Sequence, residues 1–238
     1  MDLGISDRVA LVTAASRGLG RAAAMALAAE GVRLVVNARS ADQLTQLRDE
    51  VDVEVEIVVG DMNDEHLPEL LVNRALERFG RLDIVVSNNA GPAPGGAFDV
   101  TDQQILDSLT ANTLSAIRLV RAARPVMVRQ QWGRVCLIAS GSARQPMDNL
   151  ALSNVSRPAL WGWAKTAANE LTASGVTLNL VCPGAHSTER LIELGGQDRS
   201  YVGHPDDFGR IVAFLCSAYT SYLTGTAVIV DGGRVQGL

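Results

Sequence analysis

The feature that most constrains the fold is an alternation of short apolar runs with longer helical patterns along all 238 residues. The short runs are apolar on both faces, as buried parallel strands are. They lie at residues 9–13, 33–38, 55–60, 83–87, 134–139, 176–181 and 227–232. The helical patterns lie at residues 19–30, 41–50, 64–79, 102–130, 151–174 and 206–218. This alternation predicts a single doubly wound, Rossmann-type α/β domain over residues 1–238, whose seven-stranded, mostly parallel sheet has helices on both faces.

Composition argues against several classes of function. A formal net charge of −5, without a run of five like charges, argues against binding to nucleic acid or an anionic membrane. No stretch approaches the length of apolar chain that spans a bilayer, and the N-terminus lacks the basic start and apolar run of a signal peptide. Cys136, Cys182 and Cys216 lie inside apolar runs without metal-ligand spacing. We therefore expect buried free thiols, no metal site and a cytoplasmic protein.

The loop after the first strand has the character of a phosphate-binding loop. It reads Thr13-Ala14-Ala15-Ser16-Arg17-Gly18-Leu19-Gly20 and leads into an alanine-rich helix. Small residues let the backbone approach a pyrophosphate, and the N–H groups at the start of the helix can bind its charge. Ligands of doubly wound sheets bind at the carboxyl ends of the strands. The position of this loop therefore favours a dinucleotide site over an ordinary tight turn.

The end of the second strand favours NADP(H) over NAD(H). An acidic residue in this place usually binds the ribose 2′-hydroxyl of NAD. This chain instead has the neutral Asn37 and Ala38, followed by the cationic Arg39. Together with Arg17 in the first loop, Arg39 could bind a 2′-phosphate, because guanidiniums form bidentate, charge-assisted hydrogen bonds with phosphates.

These motifs resemble the short-chain dehydrogenase/reductase family, and most closely its β-ketoacyl-carrier-protein-reductase-like members, over nearly the whole chain. The loop at 13–20 is similar to the family's T-G-x-x-x-G-x-G motif, with Ala14 in place of the first glycine. Alanine tolerates a positive φ less well than glycine does, so we expect the pocket to differ slightly here. Further matches are Asp61-Met62 after the third strand, "NNAG" at 88–91, "CPGAHST" at 182–188 and "YLTGTAVIVDGG" at 222–233.

The resemblance implies which residues bind the cofactor. They are Thr13, Ser16, Arg17, Gly18, Leu19, Gly20, Arg39, Asp61, Met62, Asn88, Asn89, Ala90, Gly91, Pro183, Gly184 and Thr188. Within this set, Thr188 stands where the family usually binds the carboxamide of the nicotinamide. One register stays open, because Ser87 adds a residue after the fourth strand. The family's two asparagines align either with Asn88-Asn89 or with Ser87-Asn88.

The catalytic positions depart from the family's pattern. Its proton machinery is an Asn-Ser-Tyr-Lys set, and Asn112 and Ser140 match the first two members. Two family spacings, 13 residues after Ser140 and 30 before Pro183, both place the tyrosine position at Ser153. The lysine position four residues later is Arg157. Lys165 lies eight residues further on and aligns with a second lysine that ordinary members also carry.

The two substitutions change the available chemistry. A serine hydroxyl is a far weaker acid than a tyrosine, whose pKa starts near 10 and can be tuned towards neutrality. Arg157 keeps its charge and can hold ribose hydroxyls or an oxyanion, but it cannot relay a proton. Residues four apart share one face of a helix, so both can point into the site. Water, His186 or Tyr201 are the candidates to supply the proton.

Three interpretations follow for function. The first is an atypical NADP(H)-dependent oxidoreductase acting on the carbonyl or alcohol of a small molecule, with a 3-oxoacyl compound as one candidate. The second is a dehydratase, isomerase or cyclase on the same scaffold, and the third is a nucleotide-binding protein without catalysis. We also expect a substrate lid at about 188–204 and, from the family, a homo-oligomer, either tetramer or dimer.

Overall fold

The structure is a computed structural model that describes residues 2–196 and 201–237. Its centre is one seven-stranded sheet in the order β3-β2-β1-β4-β5-β6-β7, in which every neighbouring pair is parallel. The strands are β1 (Val9–Val12), β2 (Arg33–Ala38), β3 (Val55–Val59), β4 (Ile84–Ser87), β5 (Gly133–Ile138), β6 (Val176–Pro183) and β7 (Ala227–Val230). The predicted doubly wound α/β fold is confirmed, and all seven strands form within two residues of their predicted bounds.

The helices lie on both faces of this sheet, as predicted. They are α1 (Gly18–Ala29), α2 (Ala41–Asp49), α3 (Leu67–Phe79), α4 (Asp102–Leu109), α5 (Ser115–Gln130), α6 (Ala151–Leu171), α7 (Glu189–Glu193) and α8 (Pro205–Leu215). None of the helices in the described ranges is long and apolar enough to cross a membrane.

The side chains of each strand alternate between two hydrophobic cores, because successive residues of a strand point to opposite faces. In β1, Val9 and Leu11 pack on the side of α3, α5 and α6, whereas Ala10 and Val12 pack on the side of α1, α2 and α8. Strand β3 is less buried than predicted, since it lies at the edge of the sheet and Val59 is half exposed.

The segment predicted as one helix over 102–130 consists of three parts. A capping box between Thr101 and Gln104 starts α4, and a wide π-helical turn at Thr110–Leu114 separates it from α5. Side chains bind the backbone in this turn, because Asn89 Nδ2 and Ser115 Oγ both donate to the Ala111 carbonyl, each at 2.6 Å. The turn therefore connects α5 to the loop that follows β4.

Helix α8 supports α1 by very close contact. A Cβ atom added to Gly209 would lie 2.3 Å from the carbonyl oxygen of Ala22, so only glycine allows the two helices to approach this closely. Strand order reverses between β1 and β4, and in such sheets the crevice at the reversal is the ligand site. The α1–α8 contact thus fixes the helix that begins at this crevice.

The structure describes two parts of the predicted lid at 188–204, on either side of residues 197–200. Helix α7 lies within it, and the turn at Gly195 and Gly196 follows that helix. Residues 197–200 of the predicted lid lie outside the described residues.

Candidate active site

A cleft of about 590 Å³ runs along the carboxyl ends of the strands. The structure brings most of the predicted site residues to its walls. These are Ser16, Arg17, Gly18, Leu19, Arg39, Asp61, Met62, Asn88, Asn89, Ala90, Gly91, Ser140, Ser153, Arg157, Pro183, Gly184 and Thr188. Thr13, Gly20 and Asn112 are buried and are not among the lining residues.

The backbone of the first loop, residues 13–20, has a shape suited to binding an anion, and we call this loop the phosphate cradle. Gly18 has a φ of +57°, and Ala14, which replaces a glycine of the family motif, is held at +47° in the left-handed region that disfavours alanine. A Cβ on Gly20 would lie 2.3 Å from the Ala14 carbonyl oxygen and 2.6 Å from Asn88 Nδ2. The N-terminus of α1 has no side-chain cap and no acidic residue in its first turn. Its N–H groups are therefore available to a phosphate.

Thr13 joins this loop to Asn88, the residue that follows β4, by two hydrogen bonds. Its hydroxyl donates to the Asn88 carbonyl at 2.8 Å and accepts from the Asn88 N–H at 2.9 Å. Ser87 is the buried last residue of β4 and pairs with Leu137, whereas Asn88 and Asn89 line the cleft. This placement favours the register in which the two asparagines are Asn88-Asn89.

Arg17 and Arg39 both line the cleft, but each already forms an ion pair with a carboxylate side chain of the protein. Arg17 Nη1 lies 2.7 Å from Glu189 of α7, and Arg39 Nη1 lies 3.9 Å from Asp61. The side chains of Arg17 and Arg39 are 52% and 72% exposed. Exposed ion pairs contribute only about 0–1 kcal/mol, so a phosphate can replace these partners.

Three serines are linked by hydrogen bonds at the other end of the cleft, one link being through a backbone N–H. Ser140 follows β5, and its Oγ accepts from the Ser142 N–H at 3.2 Å. The hydroxyl of Ser142 is 2.8 Å from that of Ser153 on α6. Sequence reasoning missed Ser142, because its contact with Ser153 spans 11 residues and arises only when α6 packs beside the turn after β5. Ser153 therefore hydrogen-bonds within the protein while still lining the cleft.

Arg157 lies one helical turn after Ser153 and is only 4% exposed. Its Nη1 donates to the Ile138 carbonyl at 3.2 Å, and its Nε is buried without a partner. Burial lowers the pKa of Arg157 to about 10, which still leaves the guanidinium charged at neutral pH. The ion pairs found among the described residues do not include Arg157.

Asn112 does not present its side chain to the cleft. It lies in the π-helical turn, where its Nδ2 donates to the Ser108 carbonyl at 3.1 Å and its buried Oδ1 has no partner. The neighbouring residue Ala111 lines the cleft instead. The structure thus places Asn112 behind the site, where it shapes the turn.

The other predicted polar residues lie in different settings. Lys165 donates to the Gly225 carbonyl at 2.9 Å, beside the start of β7, and is not among the lining residues. His186 lines the cleft and is 5% exposed, and burial lowers its pKa, so it is neutral at pH 7. Tyr201 is 66% exposed and packs beside Gly232. Within residues 2–196 and 201–237, no three His, Cys, Asp or Glu side chains are grouped to hold a metal ion.

Comparisons with known proteins find relatives that match nearly the whole chain. A family model described as "Enoyl-(Acyl carrier protein) reductase" matches residues 13–234. The chain is 32% identical to dehydrogenase/reductase SDR family member 4 of Sus scrofa, over 98% of this chain and 89% of that protein. It is 26% identical to the NADPH-dependent reductase BacG of Bacillus subtilis (strain 168), over 98% and 100% of the two chains. The crystal structure of L-sorbose reductase from Gluconobacter frateurii, complexed with NADPH and L-sorbose, is 28% identical, with a TM-score of 0.92 over the full length of both chains.

Proposed function

The chain belongs to the short-chain dehydrogenase/reductase family, and on that premise we propose that it is an NADP(H)-dependent oxidoreductase acting on a carbonyl or alcohol group of a small molecule. One observation carries the proposal: a single continuous cleft joins the phosphate cradle at one end to the hydroxyls of Ser140 and Ser153 at the other. NADPH-dependent relatives that span the whole chain support the choice of cofactor.

The residues present fit a dinucleotide phosphate. The uncapped N-terminus of α1 and the cradle at Gly18 would hold the pyrophosphate. Arg39, with Arg17, would bind the 2′-phosphate, and Asp61-Met62 would lie on the adenine side. Asn88 to Gly91 would line the middle, with Pro183, Gly184 and Thr188 flanking the nicotinamide. The bound cofactor supplies or accepts a hydride, and the protein's own groups orient the substrate oxygen and handle the proton.

Ser140 would polarise that oxygen through its hydroxyl, and Arg157 would hold the substrate through its N–H donors, since both residues line the cleft. Ser153 is hydrogen-bonded to Ser142 and would relay a proton only from water, because its own hydroxyl is too weak an acid to release one at neutral pH. Losing a positioned general acid costs about 10²–10⁴ in rate, so we expect slow turnover of simple ketones.

The test is to follow NADPH oxidation with a panel of ketones and β-ketoacyl thioesters, using NADPH labelled at the hydride position. We expect label in at least one alcohol product, and loss of at least 10-fold of that activity in Ser140→Ala. Tight NADPH binding without turnover of any substrate would instead identify a nucleotide-binding protein. Product formation without label transfer would identify a non-redox enzyme. Activity that is intact in Ser140→Ala would mean that the site is elsewhere.

A further inference from the structure

The guanidinium of Arg157 is a buried charge without a counterion. Only one hydrogen bond of this side chain is found among the described residues, from Nη1 to the Ile138 carbonyl, although a guanidinium has five N–H donors. Its buried Nε makes none. Burial of a charge is costly unless the charge is paired and hydrogen-bonded. Arg157 nevertheless lines the cleft, so a ligand can supply the negative charge and the hydrogen-bond acceptors that the protein does not.

The carboxylates that line the cleft already bind other groups of the protein and not Arg157. Asp61 pairs with Arg39, and Glu189 and Glu193 pair with Arg17. The carboxylate of Asp231 accepts from the N–H groups of Gly233 and Val235. The nearby thiol of Cys182 does not replace them, because burial raises its pKa to about 11 and keeps it neutral. Within the described part of the wall, no anionic side chain is left to neutralise Arg157.

The phosphates of the cofactor would bind too far away to do so. Arg157 is bonded to Ile138 at the end of β5, which is three strands from β2, where Arg39 follows, and two from β1, where the cradle follows. At about 4.8 Å between neighbouring strands, these separations are about 14 Å and about 10 Å. A charge-assisted hydrogen bond needs about 2.8 Å. The hydroxyls of a ribose could accept hydrogen bonds here, but they would leave the charge unneutralised.

The position of Arg157 also limits the length of its ligand. Ile138, which anchors the guanidinium, is two residues before Ser140. At about 3.3 Å per residue of extended chain, this places the anchor about 7 Å from the hydroxyl that would polarise the reacting oxygen. An anion bound at Arg157 and a carbonyl at Ser140 therefore belong to one small molecule only if few bonds separate them.

On the basis of the proposed oxidoreductase function, we propose that the substrate is a short oxo acid, in which a carboxylate bound by Arg157 lies one or two carbons from the reacting carbonyl. The same site takes the corresponding hydroxy acid in the reverse direction. In reduction, the bound cofactor would supply a hydride to the carbonyl carbon, and water in the cleft would supply the proton that completes the alcohol. The carboxylate is unchanged by the reaction.

The test uses binding to the protein loaded with NADP⁺, which cannot reduce a carbonyl. The probes are pyruvate and acetoacetate, and the controls are pyruvamide and acetoacetamide, which differ from them by the loss of the charge. Thermal unfolding is recorded with each ligand at matched ionic strength, with and without NADP⁺. We expect at least one of the two acids to raise the unfolding temperature in a saturable manner and its amide to leave it unchanged. Equal effects of acid and amide, or no effect of either acid, would overturn the proposal.

Variants test whether Arg157 is the side chain that binds the carboxylate of the acids. Arg157→Met should bind the acids at least 10-fold more weakly, while Arg157→Lys should keep the preference for acid over amide. Arg144→Gln is the matched control, since Arg144 also lies near Cys182 but does not line the cleft. Binding of the acid to Arg157→Met with wild-type affinity would contradict the proposal.

A second readout separates anion binding from a structural role. Without ligand, Arg157→Met should unfold at a higher temperature than the wild type by about 2–4 °C, because an apolar side chain replaces an uncompensated buried charge. A merely structural arginine would give the opposite shift. Failure of the protein to bind NADP⁺ would count against the proposed function, whereas the acid and amide series without nucleotide would still decide the role of Arg157.

Discussion

At the scale of single residues, two side chains on one face of α6, Ser153 and Arg157, line the cleft. The sequence predicts that Ser153 and Arg157 face the same site, because family spacings and the helical repeat agree there. It does not predict that Arg157 is buried without a counterion, since an arginine four residues after a serine reads equally well as a solvated charge. Nor does it predict Ser142 as the partner of Ser153, because that contact depends on tertiary packing.

Restoring the family's general acid should change the rate with neutral ketones. Ser153→Tyr combined with Arg157→Lys places a phenol and an ammonium at the two positions, and we expect kcat/KM for neutral ketones to rise about 10²-fold. The matched control is Ser153→Phe with Arg157→Lys, which adds the ring without the hydroxyl. Equal rates for the tyrosine and phenylalanine variants would mean that the missing phenol does not limit turnover.

The preference for NADPH should depend on Arg39. Its side chain is 72% exposed and pairs only loosely with Asp61, at 3.9 Å, so it can turn to a 2′-phosphate at little cost. A hydrogen bond to a charged group contributes about 1.5–3 kcal/mol, so Arg39→Ala should weaken NADPH binding by about 10- to 100-fold. Affinity for NADH should stay the same, as measured by fluorescence titration. Arg210→Ala, on the exposed surface of α8, should alter neither affinity, and equal losses for both nucleotides in Arg39→Ala would refute the assignment.

At the scale of elements, the helix that starts the phosphate cradle depends on its neighbour. Gly209→Ala would drive a methyl group into the Ala22 carbonyl, and overpacking of this kind costs about 1–3 kcal/mol. We expect a lower unfolding temperature and weaker NADPH binding, because α1 must shift. Gly162→Ala is the control, since a Cβ at Gly162 of α6 meets nothing within 4 Å. It should be neutral or slightly stabilising, and a neutral Gly209→Ala would show that the helices can separate freely.

The elements also show where sequence patterns stop being informative. A continuous helical pattern over 102–130 does not reveal the π-helical turn, because a segment of five residues is too short to show a period of its own. What holds the turn open is the contact of Asn89 with Ala111, which joins residues 22 apart. Asn112 was predicted as a site residue from the family's motif, but its side-chain direction depends on this same turn.

At the scale of the whole molecule, the topology was largely predictable and the charge distribution was not. Seven runs apolar on both faces, separated by helices, leave few arrangements other than a doubly wound parallel sheet. The pairing of Arg17 with Glu189 could not be predicted, since α7 reaches the first loop only in the folded chain. Fold thus follows from a repeated local pattern, whereas the balance of charges in the cleft follows from contacts between distant segments.

The stability of the whole molecule should fall in mild acid partly because of His186. Burial lowers its pKa below the usual 6.5, so the unfolded chain takes up a proton at a pH where the folded chain does not. Its contribution is complete above about pH 6.5 and is lost as the pH falls through the folded pKa. Urea unfolding at pH 7.5 and pH 5 should therefore show a smaller loss of stability in His186→Gln than in the wild type. His66→Gln, at an exposed position, should follow the wild type, and parallel losses in all three proteins would exclude His186 as a cause.

The unpaired charge of Arg157 also bears on how long each copy of the protein survives in a cell. A ligand that binds only the folded chain reduces the unfolded population by the factor 1 + [L]/Kd. When opening is fast compared with cleavage, proteases digest in proportion to that population. An empty cleft that holds an uncompensated guanidinium opens more often than a filled one. We therefore expect degradation to be fastest when the proposed anion is scarce, so that the abundance of the protein follows the supply of its own ligand.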